Sequence, residues 1–288
     1  MPNMDFWMFL AGLGVFLLGI NQMEAGIKNL AGKSFKTFLK RYTKNVFSAI
    51  LIGTLVTAIL QSSSVVSLMV MAFVGAGMMP LKNGIGVIFG ANLGTTVTGW
   101  IVATVGFKFP IDAIALPILG IGGLLATLFA NRVFFAELGR FLIGFGALFM
   151  GIEFMKDAVA VDAMDVAFLE TLNFPPHLFF LVGTILTAII QSSSATMAIT
   201  LSALYAGIIN LEIAGAIVIG GYLGTTVTVF LGALGGTVIR KRVALAHIGF
   251  NFLTSILALF LLIPLIGWIE GNFTFQDPLY QLVTFHSS

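Results

Sequence analysis

The chain has 288 residues, 58% hydrophobic and only 9% charged, with a mean hydropathy of +1.06 and a formal net charge of +2. That composition excludes a soluble enzyme and matches a polytopic helical membrane protein, supplied with Phe for lipid-facing surfaces and Gly for close helix packing. The absence of Cys also excludes disulfides, thiolate metal sites and cysteine nucleophiles.

In chain order, predicted spans at 5–27, 84–106, 111–130, 134–157, 213–236 and 243–269 are each long enough to cross a hydrocarbon core of about 30 Å. The first is an uncleaved span and not a signal peptide, because Asp5 precedes it and a basic segment follows it. Two further apolar runs, 46–79 and 177–209, would each make a single helix of roughly 50 Å, too long for one crossing. Each carries the same polar tetrad near its middle, Gln-Ser-Ser-Ser at 61–64 and again at 191–194. Each is therefore expected to be a re-entrant hairpin of two half-length helices, with the polar break covered by protein or water.

The tetrads belong to an internal repeat. "GTLVTAILQSSS" at 53–64 matches "GTILTAIIQSSS" at 183–194, and "GANLGTTVT" at 90–98 matches "GGYLGTTVT" at 220–228, both at an offset of 130. Between Gly53–Thr98 and Gly183–Thr228, 19 of 46 positions are identical without a gap, too many at one offset for chance similarity of apolar segments. Each unit holds three full spans, an odd number, so the second copy should be inverted relative to the first. The hairpin topology puts 12 of the 14 Lys and Arg inside, but a topology with both hairpins crossing fully puts 11 there, so the count does not decide. The contrast between equivalent loops does: 28–44 is strongly basic, whereas 157–176 carries Asp157, Asp162, Asp165 and Glu170 without Lys or Arg. The expected fold is thus all-α, a polytopic membrane protein with inverted-topology repeats, two re-entrant helical hairpins and broken helices. Its first repeat covers 1–130, its second 131–270, and a C-terminal tail 271–288.

Inverted repeats with helix breaks at the midplane are the architecture of secondary transporters, with the substrate at the repeat interface. Gln61, Ser62, Ser63, Ser64 and Gln191, Ser192, Ser193, Ser194 open the second half-helix of each hairpin. Free backbone N–H groups, the positive end of the helix dipole and the serine hydroxyls together suit an oxyanion. The Gly-Thr-Thr-x-Thr segments at 94–98 and 224–228 are expected to unwind, so that carbonyls and the hydroxyls of Thr95, Thr96, Thr98, Thr225, Thr226 and Thr228 become hard oxygen ligands for Na⁺. With no Lys or Arg at that depth, a bound cation would help neutralise a multiply charged anion, which makes co-transport the natural mechanism.

Paired QSSS motifs, each followed by a GTT motif, resemble those of the type II sodium-dependent phosphate cotransporters and their bacterial relatives, over nearly the whole chain. The resemblance implies Na⁺-driven uptake of inorganic phosphate across the plasma (inner) membrane by a multi-pass protein without a bound cofactor, with the tetrads on phosphate. It adds Gln61, Gln191, Asn92 and Asn251 to the sodium ligands, the last from "HIGFN" at 247–251. The second repeat has Tyr222 where the first has Asn92, and the first lacks the His/Asn pair, reading "PILGI" at 117–121. The tail "LVTFHSS" resembles the start of another His/Asn helix, so the chain is expected to stop short of one more span and of a PhoU-like domain. Partners are then phosphate, Na⁺ and the lipid bilayer; no nucleic acid is expected, and a homo-oligomer is compatible with the sequence.

Three other readings compete. Ser, Thr and Gly often serve only to pack transmembrane helices. Another oxyanion, sulfate or a dicarboxylate, fits the same chemistry with Na⁺ or H⁺ coupling. An intramembrane serine enzyme would use His247 as base, which requires a serine within hydrogen-bond reach of it.

Overall fold

A computed structural model describes residues 6–106, 111–159, 175–205, 207–273 and 277–288. Among these every regular element is a helix: α1 (Phe6–Tyr42), α2 (Val46–Leu60), α3 (Ser63–Gly75), α4 (Leu81–Ile101) and α5 (Ile111–Leu128). The order continues with α6 (Val133–Val159), α7 (Pro176–Ile190), α8 (Ser193–Tyr205), α9 (Leu211–Ala233), α10 (Val238–Asn272) and α11 (Pro278–Ser287). Five of these helices are long and apolar enough to cross a membrane, within α1, α4, α6, α9 and α10. By length and composition they fit the polytopic membrane protein that the sequence implies.

The chain divides into two compact units. The first comprises Met1–Gly32, Ile101–Asn173 and Leu201–Ile209; the second comprises Lys33–Trp100, Phe174–Thr200 and Asn210–Ser288. Each takes segments from both sequence repeats. In the first unit, α1 packs on α6 through Gly12, Gly19 and Gly26, spaced by seven residues along one helix face. A Cβ on Gly19 would stand 2.4 Å from the Leu148 amide nitrogen, so only glycine permits this approach. Glu153 pairs with Lys156 at 3.3 Å and Glu137 with Arg140 at 3.2 Å, i,i+3 pairs worth no more than about 1 kcal/mol each.

The second unit holds the first hairpin and, up to Thr200, the second. Each apolar run is broken over two residues, Gln61–Ser62 and Gln191–Ser192, between half-length helices. Gln61 (φ 55°, ψ 22°) and Gln191 (φ 59°, ψ 25°) are the only non-glycine residues with positive φ among those described. A left-handed non-glycine residue costs roughly 1–2 kcal/mol, so tertiary structure must hold both breaks in place. α2 packs on α4 and α7 on α9 by the same contacts, repeated at the 130-residue offset. A Cβ on Gly90 would lie 1.9 Å from the Ile50 carbonyl oxygen, and one on Gly220 would lie 2.1 Å from that of Phe180. The pairs Gly94–Thr54 and Gly224–Thr184 agree as closely, each at 2.5 Å.

Two expectations are corrected. The basic segment after residue 27 is not a loop: α1 continues through it to Tyr42, because no Pro interrupts a run of Lys, Leu, Ala and Phe that sustains a helix. Nor do α4 and α9 unwind at Gly-Thr-Thr; both run through it unbroken. Gly94 and Gly224 serve close helix approach there, and Thr95, Thr96, Thr225 and Thr226 return their hydroxyls to carbonyls of their own helix. The irregularity falls just beyond, in a π-helical turn at Val102–Gly106. In the acidic 157–176 loop, Asp162, Asp165 and Glu170 lie outside the described residues.

The packing predicts a sign contrast between two helical glycines. Gly90→Ala should lower the thermal midpoint in detergent, at a cost of about 1–3 kcal/mol, because a backbone carbonyl blocks the methyl. Gly267→Ala, with nothing within 4 Å, should leave it unchanged or slightly raised.

Candidate functional site

The two polar breaks converge within the second unit. Thr98 is 4% exposed on α4, and its hydroxyl donates to Gln61 Oε1 at 2.7 Å. Thr98 Oγ1 in turn accepts from Ser194 Oγ at 3.4 Å, a long contact that brings the second tetrad to the first. One residue from each hairpin thus meets at a single threonine. Gln61 is 8% exposed, and its Nε2 donates to the Ala58 carbonyl, so the amide is held at both ends.

The serines act first as helix caps. Ser62 Oγ accepts from the Val65 N–H at 3.5 Å and Ser192 Oγ from the Ala195 N–H at 3.3 Å. These bonds start α3 and α8 cleanly and aim the remaining amides of each first turn at the break. Ser63, Ser64 and Ser193 are half-buried. An anion at such a point would find backbone N–H groups and the positive ends of two helix dipoles.

A second polar pair lies between α4 and α10. Asn92 Nδ2 donates to Asn251 Oδ1, while Asn251 is 0% exposed and its Nδ2 has no partner. Phe89 and Phe250 stack beside it at 4.0 Å. Asn92 and Thr96 also border a mostly apolar cavity of about 490 Å³ that reaches Tyr222 and His286. Where the first repeat has Asn92, Tyr222 of the second gives its hydroxyl to a 2.8 Å bond with His286 Nε2, so α11 fills that position.

Several buried groups are unpaired. Besides Asn251 Nδ2, the hydroxyls of Thr57, Ser67 and Thr228 and Nδ1 of His247 are without hydrogen-bond partners. Orphaned buried oxygens are costly in a native structure and suit a ligand such as a small hard cation. Among the described residues no three His, Asp or Glu gather as a metal site. Because no serine hydroxyl bonds His247 Nδ1, the nucleophile–base contact of a serine enzyme is not made on that nitrogen.

The structure therefore joins Gln61, Thr98 and Ser194, and separately Asn92 and Asn251. It does not bring Gln191 in: that side chain is exposed, and its counterpart threonine, Thr228, is unpaired. Sequence reasoning missed Thr57 and Thr187, one helical turn before each Gln in "TAILQ" and "TAIIQ", a spacing that places them directly behind the tip. Their environments differ. Thr187 shares a 2.6 Å hydroxyl contact with Thr196, whereas Val66 occupies the equivalent place opposite Thr57.

The sequence profile of the Na⁺/Pi-cotransporter family matches residues 15–157 and 161–269. The Bacillus subtilis protein YqeW, itself uncharacterised, is 33% identical over 264 residues, 91% of this chain and 84% of that protein. Sodium-dependent phosphate transport protein 2A of Mus musculus is 30% identical over 98 residues, 33% of this chain but only 15% of its own length. Protein 2B of Homo sapiens is likewise 30% identical over 98 residues, 14% of its length. No solved structure matches the chain.

The unequal threonines give opposite expectations for one isosteric change. Thr187→Val removes a hydroxyl that Thr196 uses and should lower the thermal midpoint, by about 1 kcal/mol in stability. Thr57→Val removes a buried hydroxyl without a partner, so in cation-free buffer the midpoint should hold or rise.

Proposed function

Because the chain belongs to the Na⁺/Pi-cotransporter family, and so is a transporter and not an enzyme, we propose that it is a Na⁺-coupled symporter carrying inorganic phosphate into the cell. The membrane it serves is the plasma (inner) membrane, and the phosphate lies between the two QSSS tips. The observation that carries this reading is the meeting of both tips at Thr98. A tetrahedral anion held there would accept from backbone amides and hydroxyls of both α3 and α8, the serine-rich ends of the two broken runs. The hairpins belong to inverted repeats, 1–130 and 131–270, so the tips reach the site from opposite sides of the bilayer.

Sodium supplies the positive charge that the site lacks. Its ligands are drawn from the neutral oxygens around the tips and along α4, α9 and α10: Gln61, Gln191, Asn92, Asn251 and the threonines of the two GTT segments. Asn92 with Asn251 is the favoured pair, because the two side chains meet in one buried contact and Asn251 Oδ1, which accepts from Asn92, is an oxygen that a cation could take over. Thr95, Thr96, Thr225 and Thr226 donate their hydroxyl protons to carbonyls of their own helices, which leaves the lone pairs of each oxygen free for a cation. Replacement of Asn92 by Tyr222 in the second repeat makes the sodium sites unequal.

Uptake of radiolabelled phosphate into proteoliposomes tests this reading. Accumulation should require an inward Na⁺ gradient, fail with K⁺ or with a proton gradient alone, and be lost in the double variant Ser62→Ala, Ser63→Ala. Equal uptake without Na⁺ would overturn the coupling. Stronger competition by sulfate or succinate than by unlabelled phosphate would overturn the substrate.

A further inference from the structure

The bonds at Thr98 have counterparts that are not made. Adding the repeat offset of 130 to Gln61 and Thr98 gives Gln191 and Thr228; subtracting it from Ser194 gives Ser64. The triad Gln61–Thr98–Ser194 therefore has an image, Gln191–Thr228–Ser64, in which every residue type is retained. The first triad is bonded, with Thr98 4% exposed and Gln61 8% exposed. In the second, Gln191 is exposed, Ser64 is half-buried, and the buried Thr228 hydroxyl has no partner. The backbones do not explain the difference. Both glutamines have the same left-handed conformation, and both make the same bond to the carbonyl four residues earlier, at 2.7 Å to Thr57 and 2.6 Å to Thr187.

Identical residues on matching backbones, bonded in one copy and open in the other, describe one half of a two-state element. We infer that Thr98 and Thr228 are alternately used positioning residues: each clasps the glutamine of its own repeat and the last tetrad serine of the other, and only one clasp closes at a time. In the state seen here the clasp on Thr98 is closed. In the opposite state the amide of Gln191 turns in to Thr228, Ser64 reaches the same hydroxyl, and Thr98 is released. Each clasp ties a tip of one repeat to a tip of the other, so closing one fixes which side of the shared site is sealed. The exchange also accounts for the buried, unpaired hydroxyl of Thr228: it is the partner awaited in the other state. This inference rests on the reading above that the chain is a transporter built from inverted repeats, and not on which ion is carried.

The chain has no Cys, so single-cysteine labelling reports each tip without background. Ala58→Cys and Ala188→Cys, equivalent half-buried positions one turn behind the two tips, are labelled in separate preparations with a charged maleimide, without phosphate or Na⁺. In the parent chain position 188 should react faster than position 58. Thr98→Val, which removes both bonds of the closed clasp, should shift the ratio towards position 58 by at least about fivefold, the population change expected for loss of the shorter bond alone. Thr228→Val, which removes the alternative clasp, should shift it further towards position 188, and Thr98→Ser should restore the parent ratio. If Thr98→Val raises both rates together, as in a denatured control, or if neither valine variant moves the ratio, the exchange does not occur. Because no cargo is present, failure of phosphate uptake would overturn the substrate assignment without altering this result.

Discussion

A helix interrupted within a membrane protein leaves amide and carbonyl groups that hydrocarbon cannot satisfy, at several kcal/mol for each group abandoned. This chain contains two such interruptions, Gln61–Ser62 and Gln191–Ser192, each made costlier by a left-handed glutamine. The first break is buried, and its glutamine is satisfied by a threonine that also meets the second break. The rest of the second unit can be read as the framework that maintains this contact.

That framework is glycine-built. Gly53, Gly90 and Gly94 let α2 lie against α4 at backbone contact, and Gly183, Gly220 and Gly224 do the same for α7 against α9. With glycines at these contacts the helices meet backbone to backbone, which fixes the first arm of each hairpin in height and rotation against a long helix. The Gln at its end can then be placed to within the tolerance of a hydrogen bond. The second arm is set by its cap, Ser62 or Ser192, which starts the helix at the break and turns its free amides inward. The same serines thus organise the backbone and, in the proposed function, receive the anion.

The architecture was legible because its signals are periodic or repeated. An apolar run too long for one crossing with QSSS in its middle admits few physical solutions, and a similar run with the same QSSS 130 residues on narrows them further. Length alone would not have sufficed, since α1 and α10 are continuous helices of 37 and 35 residues. The polar interruption made the difference. Gly-Thr-Thr was misread as a break because glycine allows both unwinding and close approach, and only the neighbouring helix decides between them. The carbonyl oxygens of Ile50 and Phe180, which sit against Gly90 and Gly220, are invisible in a linear sequence. Thr98 could be singled out as a functional threonine, but not as the meeting point of the tips. Likewise the bond between Tyr222 and His286 joins residues 64 positions apart with no motif to relate them.

The central claim is that tips from two distant parts of the chain act as one buried site. A double-mutant cycle on Gln61→Ala and Ser194→Ala, read out as phosphate affinity in saturating Na⁺, measures their coupling directly. Residues sharing a site through Thr98 should be non-additive by about 0.5 kcal/mol or more. Additivity within about 0.3 kcal/mol would mean that the two tips bind independently, and would contradict the account.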